Sequence, residues 1–147
     1  KGPMELWKAD SIQVAFDPLK NGKVAPTKAN FYDDDDFEYT IGLLQGEPIV
    51  YRHYASSVVY DGFQKNLGLV SGEVDAVVKA KNGKTVYELR FAPRSVSPFR
   101  LEADSSMLWN FIINMNNGKG RMGWLELSPG IGQNKSPGEF MNIVLVD

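Results

Sequence analysis

The chain has 147 residues, 43% hydrophobic and 23% charged, with sixteen Lys and Arg against eighteen Asp and Glu. That balance fits one globular domain with a sizeable core and argues against a disordered chain. The scattered cations and formal net charge of -2 leave no footprint for a nucleic-acid partner, no apolar run approaches the ~20 residues of a membrane span, and the lack of Cys excludes disulfides, thiolate metal sites and cysteine nucleophiles.

The chain opens Lys1-Gly2-Pro3-Met4, without a visible signal peptide, and reads as one domain over residues 1–147 cut from a longer protein. Periodicity of two then dominates. Ile12, Val14 and Phe16 alternate with Ser11, Gln13 and Asp17. Phe37, Tyr39, Ile41 and Leu43 alternate with Glu38, Thr40 and Gly42, which are expected on a wet face. Residues 48–54 read as a further strand. Val74, Ala76, Val78 and Ala80 form the next alternating run, and Tyr87, Leu89 and Phe91 the one after. Between these two, Asn82-Gly83 predicts a hairpin, because both central residues of a type I′ turn need positive φ. Asn21-Gly22 and Asn117-Gly118 are weaker signals of the same kind. Residues 92–98 read as a loop, a short helical turn is expected near 104–108, and strands are expected over 107–116, 122–127 and 140–146. The Gly-rich stretch 128–138 reads as a loop. About eight short strands predict an all-β fold, an antiparallel β-sandwich of jelly-roll type with two packed sheets.

Several groups can carry chemistry. Asp33, Asp34, Asp35 and Asp36 are adjacent carboxylates that repel by about 1 kcal/mol per close pair in water. Calcium, which takes about six to eight oxygen ligands, would relieve that repulsion, although the spacing is not that of an EF-hand loop. Trp7, Tyr51, Tyr54, Tyr60 and Trp124 fall at strand ends or beside loops, where a ring can stack on a pyranose while neighbouring polar side chains bind hydroxyls. His53 is the only His. With no Cys beside it a zinc site is not expected, and Gly130-Ile131-Gly132 lacks the strand and helix that flank a phosphate loop. Glu88, Glu102, Glu126 and Glu139 are the carboxylates from which a glycosidase pair would be drawn.

Five segments in order resemble the family 9 carbohydrate-binding modules and their broader relatives. They are Trp7 to Asp17 (Trp-x-x-Asp-Ser-apolar-x-apolar), the acidic run before Phe37, Tyr87-Glu88, Asn114 to Trp124 with Gly118, Arg121 and Gly123, and Gly130 to Pro137 followed by Phe140. The resemblance implies a β-sandwich attached to secreted polysaccharide-degrading enzymes, which places the chain outside the cell or in the periplasm, sometimes with structural calcium. Residue by residue it implies a stacking role for Trp7, hydroxyl binding at Gln13, and polar contacts at Asn114 and Arg121. Tyr51, His53 and Trp124 complete the expected sugar site. The chain departs from the pattern at Asn134, where a second stacking Trp is expected, at Met115, and at Phe91-Ala92-Pro93. The family also has further strands ahead of the Trp matched by Trp7, so another chain or an attached domain is expected to complete the sheet.

The expected function is therefore a non-catalytic carbohydrate-binding domain that holds a glycan for an attached or partner enzyme. The alternative is a glycoside hydrolase or lyase with paired carboxylates, and a third reading is a b-type haem sandwich that draws axial ligands from His53 and the Met residues.

Overall fold

The alternating runs fold into nine strands among the described residues, which in the computed structural model are 2–26, 29–60, 62–70 and 72–147. They are β1 (Ser11–Asp17), β2 (Phe37–Leu44), β3 (Glu47–Tyr54), β4 (Gly68–Leu69), β5 (Val74–Lys81), β6 (Lys84–Phe91), β7 (Ser106–Asn116), β8 (Arg121–Glu126) and β9 (Met141–Val144). Seven make an antiparallel sheet in the order β4-β3-β2-β1-β7-β8, with β9 also on β7. Because β1 occupies one edge of β7, β8 and β9 lie end to end along the other. The β5–β6 hairpin forms a second, two-stranded sheet that packs over β2 and β3. The result is the all-β sandwich.

Between the sheets lie Val14, Phe16, Phe37, Tyr39, Ile41, Val50 and Val74, the inward positions of the alternating runs. Phe16, Phe37, Tyr39 and Phe91 meet as aromatic pairs with centroids 5.1–6.5 Å apart. Asn82 and Gly83 both adopt positive φ, 54° and 72°, and close the β5–β6 hairpin as their residue types require. The buried Arg52 sits against Tyr39 and is paired with Glu73 beside this core.

Two local expectations are corrected. The turn near 104–108 is not helical, since Asp104 takes a φ of 63° and Ser106 already starts β7. The helical turns are 3-10 turns at Pro3–Lys8, Pro93–Ser95 and Pro137–Glu139, each with Pro in its first positions, where a missing N–H costs nothing. Asn21-Gly22 makes no hairpin. A Cβ on Gly22 would stand 2.4 Å from Pro137 Cβ, so that glycine admits a close approach of two segments.

The larger correction concerns the face expected to be wet. Ser11, Gln13, Asp17, Glu38, Thr40 and Gly42 are all buried. The first 3-10 turn packs on β1, β2 and β3, and a smaller core of Ala15, Tyr32, Ile112, Ile131 and Phe140 holds the 29–32 and 129–140 segments against this side. Both faces of β2 are therefore interior. On the opposite face the cover is incomplete. Ile113 and Leu125 are register partners, Leu127 bonds opposite Phe111, and Met141 pairs with Trp109, yet Ile113, Leu125, Leu127 and Met141 are all exposed. The two-stranded sheet stops short of this apolar patch.

A contiguous apolar surface of this kind takes up hydrophobic dye and promotes self-association. The unaltered chain is expected to bind anilinonaphthalene sulfonate and to associate as its concentration rises in sedimentation experiments. An Ile113→Thr/Leu125→Glu variant should lose most of both while melting within a few degrees of the parent. Equal dye uptake by the variant would contradict this assignment.

Candidate functional site

On the loop-covered side of the large sheet the backbone opens a cavity of about 490 Å³. Its floor is strand-borne, with Gln13 from β1, Glu38 from β2, and His53 and Tyr54 from β3. The rest of the lining comes from Trp7 in the first 3-10 turn, Arg121 at the start of β8 and the 131–135 loop.

Glu38 anchors the floor. It is 2% exposed, and its carboxylate accepts hydrogen bonds from Gln13 Nε2 at 2.6 Å, Tyr32 Oη at 2.7 Å and Lys135 Nζ at 2.5 Å. A buried carboxylate persists only with such donors around it. Burial, followed by the charge of Glu38, raises the Tyr32 phenol well above its ordinary range, so Tyr32 stays protonated and donates. Lys135 Nζ also donates to the Ile131 carbonyl at 3.1 Å, while its backbone pairs with the 29–31 segment. One ion pair thus ties the 131–135 loop to the centre of the sheet.

Behind the floor, Asn114 is 1% exposed and its Nδ2 donates to Gln13 Oε1 at 3.0 Å and to Ser11 Oγ at 3.1 Å. That bond fixes the Gln13 amide with its NH2 toward Glu38. Desolvation lowers the pKa of His53 from 6.5, so its ring is neutral at pH 7, and its Nε2 is buried without a partner. Tyr51 packs on His53 with centroids 4.8 Å apart. Arg121 lies against two indoles, 4.4 Å from the Trp124 centroid and 5.4 Å from that of Trp7. Trp124 is held in turn by Glu126, which accepts its N–H at 3.0 Å, and by Gly132, where a Cβ would stand 2.2 Å from the indole.

The seven residues expected to bind sugar therefore collect on one side of the sandwich. Trp7, Gln13, His53 and Arg121 line the cavity, while Tyr51, Asn114 and Trp124 back its walls and orient the lining residues. Sequence reasoning did not single out Glu38, Tyr32 or Lys135. Alternation alone puts Glu38 on a solvated strand face, and of the three only Lys135 lies in a segment that carries the resemblance, Gly130 to Pro137.

The four adjacent Asp do not act as one group. Asp34 is exposed and accepts from Ser57 Oγ at 2.9 Å, and Asp33 uses its backbone N–H to cap Asp36 Oδ2 at 2.8 Å. Asp35 and Asp36 turn inward and meet Asp17, with an oxygen from each lying within 4.8 Å of the others. Asp17 and Asp35 collect the backbone N–H groups of Leu19, Lys20 and Gly22 at 2.6–2.9 Å. Burial pushes the Asp35 carboxyl up to about 7 and that of Asp36 up to about 9, and Asp36 Oδ1 is buried with no partner. The all-oxygen donor set and the orphaned oxygen fit a hard cation held by Asp17, Asp35 and Asp36.

No protein-family model matches the chain, and no curated protein matches it.

Proposed function

We propose that this chain is a non-catalytic carbohydrate-binding domain that holds a glycan, outside the cell or in the periplasm, for an attached or partner carbohydrate-active enzyme. The observation that carries the reading is the cavity itself. A half-buried indole, Trp7, stands over a floor and walls of fixed polar groups from Gln13, His53, Asn134 and Arg121. A flat ring beside amide, imidazole and guanidinium groups is the combination that receives the apolar face and the hydroxyls of a sugar. Hydrolysis is less well supported. Both glycosidase mechanisms need two carboxyl groups across the bond, whereas the described lining residues offer one, Glu38, already engaged by three donors. The haem reading has weaker support still, since no Met is among the described lining residues and Lys135, which lines the cavity with His53, is paired with Glu38.

Calcium in a structural role is part of the same proposal. The orphaned Asp36 Oδ1 beside Asp17 and Asp35 supports a cation that pins the 17–22 turn to the acidic run. A polypeptide partner is the remaining element. The exposed Ile113, Leu125, Leu127 and Met141 favour added strands that extend the β5–β6 sheet across β7, β8 and β9.

Two measurements test these readings. In isothermal titration against a panel of oligosaccharides, at least one is expected to bind in the micromolar to millimolar range, and Trp7→Ala should weaken it by about tenfold or more. Silence across the panel, or unchanged binding in Trp7→Ala, would contradict the carbohydrate reading. Millimolar calcium should raise the melting temperature, and Asp36→Asn should remove the rise. A melting temperature indifferent to calcium and chelator would contradict the metal reading.

A further inference from the structure

The charges around the cavity do not cancel. Lys135 is paired with Glu38, and elsewhere Arg52 is paired with Glu73. Arg121 has no such counter-ion. No described carboxylate lies within 4.0 Å of it, and its Nε and Nη2 are buried without a hydrogen-bond partner. Its guanidinium lies against two indoles, Trp124 at 4.4 Å and Trp7 at 5.4 Å, and the side chain lines the cavity. Among the described lining residues, two cations, Arg121 and Lys135, stand against one carboxylate, Glu38, with His53 neutral at pH 7. The described lining residues therefore carry one positive charge in excess, and Arg121 is the cation without an ion-pair partner.

A half-buried cation that lines a ligand-sized cavity without an ion-pair partner is the group an anionic ligand would satisfy there. The fork geometry of guanidinium matches a carboxylate, which accepts two parallel N–H bonds. The space of about 490 Å³ exceeds what a simple carboxylate ion fills, and Trp7, Asn30, Gln133 and Asn134 around it suit a hydroxylated ring. Resting on the carbohydrate reading above, we propose that the ligand is an acidic saccharide, a uronic acid residue whose carboxylate pairs with Arg121 while its ring lies against Trp7. Trp124 and Gly132 then act as positioning residues that hold the guanidinium plane in place.

The test compares each uronate with its own methyl ester, so that charge changes while the protein does not. The full chain is titrated with oligosaccharides of glucuronate, galacturonate and mannuronate, with their methyl esters, and with the neutral hexose counterparts. At least one uronate is expected to bind about ten- to hundredfold more tightly than its ester, the range of a charge-assisted hydrogen bond. The advantage should shrink in about 1 M salt and vanish in Arg121→Gln. A uronate bound no better than its ester and neutral counterpart would overturn this inference while leaving the carbohydrate reading standing. Binding of no saccharide at all would overturn both. Should Arg121→Gln fail to fold, the ester comparison on the unaltered chain decides alone.

Discussion

A single buried carboxylate on the central strand organises the loop-covered half of this molecule. Glu38 projects from β2 away from the aromatic core and is 2% exposed at the floor of the cavity. An ionised carboxylate in such a place is tolerated only where charge and hydrogen bonds replace the lost hydration. Three separate segments supply them, Gln13 from β1, Tyr32 from just before the acidic run, and Lys135 from the Gly-rich loop. Satisfying one group thus brings the pieces of the cavity together.

The rest of the site follows from that constraint. With Lys135 drawn to the floor, the 131–135 loop lines the same cavity as Trp7 and Arg121. Asn114 sets the Gln13 amide, and Trp124, seated against Gly132, sets the Arg121 plane. The acidic run just before β2 closes the same end of the strand, so the Asp17, Asp35 and Asp36 cluster and the cavity share β1 and β2 as scaffold. The opposite side of the sheet is conventional apolar packing, complete over β2 and β3 and open over β8 and β9.

The fold was legible where the information is local. Period-two alternation located the main strands, and Asn82-Gly83 located the β5–β6 hairpin because positive φ is written into those residue types. Two-residue β4 carries too little pattern to be seen. Glu38 and Thr40 could not be placed, because alternation separates two faces of a strand without saying whether the polar face meets water or a covering loop. The same limit applies to the site. Trp7, Gln13, His53 and Arg121 were named one by one, but their convergence depends on strand order and on a loop nearly a hundred residues from Glu38 in sequence. Within the acidic run, burial sets Asp35 and Asp36 apart from exposed Asp34 and half-buried Asp33, and Asp17 joins them through tertiary contact.

The most direct test of this account is a double-mutant cycle on the Glu38–Lys135 pair, read by urea unfolding. Lys135→Met leaves a buried carboxylate short of its cation and is expected to cost on the order of 3 kcal/mol. Glu38→Gln/Lys135→Met should cost less than the sum of the single changes by about 1.5 kcal/mol or more, since removing both charges leaves neither unpaired. Single changes that each cost under about 0.5 kcal/mol and simply add would contradict the claim that this pair holds the site together.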